Sequence, residues 1–157
     1  MQKITPFLWF NTNVEEAIAF YTSIFKDSKV KTVSRYGKSG PGPEGSIMTA
    51  QFELNGQEFL ALNGGPHFKF TEAISFVVSC KDQEEIDYFW EALSENGEQS
   101  QCGWLKDQFG LSWQVVPSEM GTIMGGSNPE GRERAMQAMM HMTKLNVKEL
   151  QDAYDGK

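Results

Sequence analysis

No stretch of this chain approaches the run of about twenty apolar residues that crosses a bilayer, so a transmembrane helix is not expected. The opening residues, MQKITPFLWFNTN, contain neither an apolar signal-peptide core nor a cleavage site, and the sequence reads as cytoplasmic. Cysteine is scarce. Cys80 and Cys102 are the only two, at a spacing that fits no metal knuckle, and they are expected to be free thiols. Basic residues are in the minority, 14 Lys and Arg against 21 Asp and Glu, for a formal net charge of −7. No basic stripe offsets that charge, so neither a nucleic-acid nor an anionic-membrane partner is expected. The 39% of hydrophobic residues is enough for a globular core. A length of 157 residues suits one domain and falls short of two ordinary ones.

What is present is a repeat. Residues 11–25 read NTNVEEAIAFYTSIF and residues 80–93 read CKDQEEIDYFWEAL. Sliding one along the other pairs Asn13 with Asp82, Glu15-Glu16 with Glu84-Glu85, Phe20 with Phe89, Tyr21 with Trp90 and Ile24 with Leu93. Each copy follows an apolar run, ITPFLWFN or AISFVVSC. A strand followed by a capped amphipathic helix therefore occurs twice, and two such half-folds are expected to form a cleft between them.

The rest of each half reads as strands. In the first, Asn13 and Glu16 make a capping-box pattern before a helical stripe of Ala17, Phe20, Tyr21, Ile24 and Phe25. A strand is expected over 29–36, then a Gly/Pro-rich loop over 37–46, then a hairpin of 46–54 and 57–63 turning at Asn55-Gly56. In the second, a strand over 73–80 leads into a helix capped by Asp82 and stopped at Asn96-Gly97. Strands near 99–106 and 111–117 follow, joined by a tight turn at Asp107–Gly110, where Asp107 is expected to make a local Asx-type bond. After Gly125-Gly126 a methionine-rich helix is expected from about 130 to 143, then a last helix capped by Asn146. Met136, Met139, Met140 and Met142 read as adaptable packing against the protein's own sheet or a partner subunit. The fold expected is α+β, two βαβββ modules over 1–65 and 73–117 with a helical extension over 118–157, in a single domain.

With that order on the page, the chain resembles the vicinal oxygen chelate superfamily, the glyoxalase/bleomycin-resistance/dioxygenase fold. Within it the resemblance is to the PhnB-like branch, whose members carry the label 3-demethylubiquinone-9 3-methyltransferase. ITPFLWFNTNVEEAIAFY, LALNGGPHFKFTEAISFVVSC, QCGWLKDQFGLSWQVVP and AMQAMMHM carry it, the string DQFGLSWQVVP most specifically. The resemblance implies a cleft that often holds a divalent metal on His, Gln or Glu, from the first and last strands of each module. Carried over one at a time, those positions fall on Pro6, near Asn63, on Ser75 and on Gln114. None is a carboxylate or imidazole, so neither a tightly bound metal nor another cofactor is expected. The resemblance also implies a homodimer.

Five residues are candidates to line a ligand cleft: Asn63, His67, Cys102, Trp104 and Gln114. His67 sits on the loop Gly64-Gly-Pro-His-Phe at the end of a strand, where an imidazole can serve as base or anion binder. Cys102 is placed on a strand facing the cleft, sharing its face with Trp104. Whether the chain is an enzyme is left open, and His67 and Cys102 are the residues that would carry catalysis. Gln114 faces the cleft by superfamily position, which turns Trp113 to the outer side under the helices. Glu15-Glu16 and Glu84-Glu85 lie in first helical turns, where they complement the helix dipole rather than act as acid and base. The reading that results is a protein binding a small planar or aromatic molecule between two modules without a tightly bound metal. The alternatives are a glyoxalase- or dioxygenase-type enzyme with an atypical metal site, the methyltransferase of the family label, and a dimeric scaffold without a small ligand. Methyl transfer is disfavoured because no glycine-rich strand-to-helix turn is present to cradle a nucleotide.

Overall fold

The computed structural model describes residues 2–157. The chain forms two compact units, Met1–Phe70 and Thr71–Lys157. The first runs β1 (Phe7–Phe10), α1 (Val14–Ile24), β2 (Ser28–Arg35), β3 (Ile47–Leu54) and β4 (Gln57–Asn63). Its sheet has the order β1-β4-β3-β2, with β1 parallel to β4 and the other pairs antiparallel. This is one βαβββ module, as expected. Alternation decides which face is covered. Leu8, Phe10, Ala50, Phe52, Leu54, Phe59 and Ala61 are buried on one face. The buried stripe of α1, Val14, Ala17, Ile18, Tyr21 and Ile24, belongs to the same core, where the Tyr21 and Phe59 rings lie nearly parallel to Phe52. The hairpin turns at Asn55-Gly56, both at positive φ (46° and 83°), the left-handed backbone that a two-residue turn requires. Edge strand β2 is polar and almost wholly exposed, and a register shift between Val30 and Thr32 interrupts it. Such an edge resists pairing with another chain.

One expectation needs correction. Asn13 stands at the N-cap of α1 but its side chain makes no capping bond. Asn63, at the end of β4, does that work: its Oδ1 accepts from the Val14 amide at 3.0 Å. The cap comes from across the sheet, which local spacing cannot reveal.

The second unit runs β5 (Ser75–Cys80), α2 (Gln83–Ser94), β6 (Glu98–Gln99), β7 (Trp104–Lys106) and β8 (Ser112–Pro117). The tail helices follow: α3 (Met120–Met124), α4 (Pro129–Met140) and α5 (Val147–Asp155). The sheet order β5-β8-β7-β6 repeats the first module. Asp82 caps α2 by accepting from Glu85 N at 2.9 Å, and Ile86, Phe89, Trp90 and Leu93 form its buried stripe. Trp113, Val115 and Leu105 are buried on the face that meets α2.

The strand expected over 99–106 is broken. Only Glu98–Gln99 and Trp104–Lys106 are extended, and a turn lies between them. Cys102 and Gly103 in that turn both have positive φ, 58° and 84°. Their amides donate not to a neighbouring strand but to the tail, Cys102 N to Met142 O and Gly103 N to Thr143 O, each at 2.8 Å. The tail has its own core of Ile123, Ala135, Met142, Leu145 and Leu150, with Met139 packed against it. Met136 and Met140, one turn apart on α4, are exposed. The methionines therefore divide between internal packing and an open face. Helix α4 ends at Met140 rather than near 143. Asn146 caps α5 as expected, accepting from Glu149 N at 3.0 Å. Gln83 ties the tail to α2, donating to Leu145 O at 3.0 Å and accepting from Val147 N at 2.8 Å.

Cys80, at the end of β5, is fully buried. Burial, with the charges of Glu85 and Asp82 adding to it, pushes its thiol from 9.0 up to about 12. The folded chain therefore holds this proton more tightly than the unfolded chain. Stability is unaffected below pH 9 and falls as pH rises from there toward 12, by about 1.4 kcal/mol per unit at the steepest. The difference in unfolding free energy between wild type and Cys80→Ala is expected to shrink on going from pH 8 to pH 10. A difference independent of pH would show that the thiolate is tolerated in the core.

Candidate functional site

Each sheet has one face covered by its helix and one left open. On the second sheet the open face follows from register. Gln114 lies opposite Trp104 on one side and Val77 on the other, and Ser112 lies opposite Lys106 and Ser75. Partners in register project to the same face. Trp104, Lys106, Ser75, Val77, Ser112 and Gln114 therefore share it. Gln114 Nε2 donates to Ser75 Oγ at 2.9 Å, so two positions singled out in the sequence are bonded to each other. Beside them Trp104, Lys106 and Ser112, with Glu72, Glu98 and Gln99, line a groove of about 210 Å³. Lys106 is ion-paired with Glu72, which holds the carboxyl below its ordinary value and the ammonium above its own.

Behind this face Asp107 shapes the turn between β7 and β8. It is buried, and its Oδ1 accepts from Phe109 N at 2.8 Å and Leu111 N at 3.1 Å. That is the expected Asx-type bond. Its Oδ2 also accepts from Trp113 Nε1 at 2.9 Å, a contact the sequence reading missed. The carboxylate thus fixes the start of β8, and with it the parity that turns Gln114 and Ser112 to the face away from α2.

The remaining candidates lie elsewhere. Asn63 and His67 line a cavity of about 460 Å³ in the first unit, with Tyr36, Pro41, Pro43 and Thr12 among its walls. The Asn63 amide is occupied at both ends, by Val14 N and by a bond from Nδ2 to Ile47 O at 3.0 Å. The Tyr36 hydroxyl donates to the Asn63 carbonyl at 2.6 Å. Gly64 is required beside it, because a Cβ there would lie 2.3 Å from the Trp9 ring. His67 is exposed. Cys102 is not on a strand and shares no strand face with Trp104; it lies in the turn under the tail, its Sγ 3.5 Å from Met139 O. The structure therefore places Trp104 and Gln114 together, Asn63 and His67 together, and Cys102 with neither pair. Lys106 and Ser112 were not singled out in the sequence, although alternation from Gln114 and Trp104 puts both on the same face.

The positions inherited from metal-binding relatives do not fit a transition metal. Pro6 has no side-chain donor atom. The Asn63 amide is bonded to backbone at both ends, and Ser75 and Gln114 are neutral groups bonded to each other. Among the described residues no group of three or more His, Cys, Asp or Glu is placed to hold a metal ion. No helix among them is long and apolar enough to cross a membrane.

Two βαβββ modules with open sheet faces make this a protein of the vicinal oxygen chelate fold. The family model for 3-demethylubiquinone-9 3-methyltransferase matches residues 2–116, and the chain belongs to that PhnB-like family. A putative 3-demethylubiquinone-9 3-methyltransferase, PhnB protein, from Bacillus cereus is 41% identical, with a TM-score of 0.69 over 74% of this chain and 99% of that one. A protein from Pseudomonas aeruginosa is 22% identical, with a TM-score of 0.62 over 74% of this chain and 98% of that one. The fosfomycin resistance protein FosX from Listeria monocytogenes, in complex with Mn(II) and sulfate, shares the fold at 11% identity and a TM-score of 0.56, over 82% of this chain and 100% of that one. Among curated proteins none matches the chain. The tail from Ser118 onward lies beyond the family model.

Proposed function

We propose that this chain binds a small planar or aromatic molecule on the open face of its second sheet, without a tightly bound metal. The observation that carries the reading is Trp104 lining a groove together with the hydroxyl residue Ser112 and the cation Lys106, beside the Gln114–Ser75 pair on the same sheet face. An indole beside a few polar groups is the usual composition of a small-molecule site, where the ring supplies contact area and the polar atoms supply orientation. The donor set supports the metal-free part: a neutral hydroxyl bonded to a neutral amide is poor ligation for Zn²⁺, Ni²⁺ or Fe²⁺. The methyl transfer named in the family description is not part of the proposal. Each sheet here has a single parallel pair rather than the all-parallel, helix-flanked array whose glycine-rich turn cradles a nucleotide.

A thermal-shift screen of planar aromatic compounds tests this, run on wild type and Trp104→Leu with and without a chelator. A compound at 100 times its dissociation constant is expected to add about 2.7 kcal/mol of stability to wild type. The gain should be absent in Trp104→Leu and unchanged by the chelator. Hits that Trp104→Leu retains, or that the chelator abolishes, would refute the reading.

A further inference from the structure

Among the described residues, the Ser112 hydroxyl is a buried side-chain oxygen with no hydrogen-bond partner, on a residue that is 0% exposed. A buried polar atom left unpaired is costly and uncommon, and it calls for a partner the unliganded chain does not supply. Ser112 lines the groove beside Trp104, and its register partner is Lys106. Side chains opposite one another on adjacent antiparallel strands have Cβ atoms about 5 Å apart. A hydroxyl donor and an ammonium donor thus stand side by side, matched to the two oxygens of one carboxylate, with an indole next to them.

The ammonium already has a carboxylate on it. Glu72, on the turn before β5, is ion-paired with Lys106 and lines the same groove. Its side chain is 59% exposed, so this is a solvent-screened pair that another carboxylate can replace at little cost. Glu98 lies opposite Lys106 on β6 and is exposed. Its charge opposes an anion, and the Lys106 ammonium it faces offsets that charge. Lys106 is the one cation among the groove's lining residues, and the group it holds is a carboxylate.

Resting on the ligand-binding reading above, we infer that the groove takes a small planar aromatic carboxylate, its ring against Trp104 and its oxygens on Lys106 and Ser112, and that Glu72 stands in for that carboxylate when the groove is empty. The ligand displaces Glu72 and gives the Ser112 hydroxyl the acceptor it lacks.

Calorimetric titration of the full chain with benzoate, benzamide and benzamidine tests this. The Trp104 indole N–H signal, assigned by its loss in Trp104→Phe, reports where each compound binds. Benzoate is expected to bind and to shift that signal, at least about tenfold more tightly than benzamide or benzamidine, since hydrogen bonds to a charged group are worth more than neutral ones. Lys106→Met should abolish benzoate binding. Ser112→Ala should weaken it about tenfold while leaving thermal stability unchanged or higher, because it removes an unpaired buried hydroxyl. Glu72→Gln should tighten it about two- to fivefold, the worth of an exposed ion pair. Weaker benzoate binding by Glu72→Gln would overturn the stand-in role. Benzamide or benzamidine matching benzoate at Trp104 would overturn the carboxylate assignment while leaving the planar-ligand reading in place. If none of the three shifts the Trp104 signal, the carboxylate assignment fails. The wider aromatic screen then decides separately whether the groove binds planar molecules at all.

Discussion

Replacing Asp107 with alanine is expected to cost about 4 kcal/mol of stability, the largest single-residue effect among these predictions. The carboxylate is 3% exposed and accepts from three donors: Phe109 N, Leu111 N and Trp113 Nε1. Alanine would leave two backbone amides and a buried indole N–H without an acceptor, and each such orphan costs about 1–3 kcal/mol. The effect reaches the candidate site, because the turn sets where β8 begins. If β8 slips by one residue, Gln114 and Ser112 move under α2 and Trp113 moves to the open face. Asp107→Asn separates the two contributions. Its carbonyl can still serve the two amides, but its NH₂ would oppose the Trp113 N–H, so about half the loss is expected. Denaturant unfolding followed by circular dichroism gives both numbers. A loss under about 1 kcal/mol for Asp107→Ala would mean that water takes over the three donors.

The string DQFGLSW was the most specific stretch of the sequence, and the geometry explains why those residues occur together. Asp107 needs Gly110 at positive φ (87°) to close the turn, and it needs Trp113 six residues on to satisfy its second oxygen. Both modules were legible for similar reasons. The α2 stripe, the Asn55-Gly56 turn and the Asp82 cap are local patterns, and each formed where spacing put it; the α1 stripe kept Ala17, Tyr21 and Ile24 but took Val14 and Ile18 where Phe20 was expected. What stayed hidden was non-local. Cys102 read as a strand residue because QCGWLK carries no turn signal beyond one glycine. The turn there is held by carbonyls forty residues later, at Met142 and Thr143. The same tail gives Met139 and Met142 an internal core to fill, whereas an isolated methionine stripe suggests a surface.

The candidate site was legible in part, and its limit has a physical cause. Superfamily position put Gln114 on the cleft side and alternation then turned Trp113 away from it, whereas Trp104 was placed only by parity with Cys102, which lies in a turn and off the strand. Alternation could have found Ser112 and Lys106 too, but nothing in a serine's or a lysine's identity marks it out until its partners are known. The unpaired Ser112 hydroxyl and the Glu72–Lys106 pair are properties of three-dimensional contact. Asn63 carries a role that superfamily position did not show: it lines the first unit's cavity, and its amide is also bonded at both ends by the fold.

That structural role makes Asn63→Ala the second large effect, an expected loss of about 3 kcal/mol. The side chain joins three elements. From the end of β4 it caps the first amide of α1 through Oδ1 and holds the start of β3 through Nδ2 on Ile47 O. Alanine strips the helix of its only side-chain cap at Val14, since Asn13 provides none, and losing a cap alone costs about 1 kcal/mol. The Ile47 carbonyl loses its donor in a partly buried setting and adds about 1–3 kcal/mol. The Tyr36 bond should survive, because it is made to the Asn63 backbone carbonyl. Asn63→Asp is the informative companion. It keeps the acceptor for Val14 and favours the helix N-terminus, but it turns a carboxylate toward the Ile47 carbonyl, so it should recover the cap and not the second bond. Hydrogen exchange at the first turn of α1 should then stay slow in Asn63→Asp and become fast in Asn63→Ala. Binding at the Trp104 groove should be the same in wild type and in both variants under conditions where each is folded. A drop in that binding without a drop in stability would tie Asn63 to the Trp104 groove and remove the case for its structural role.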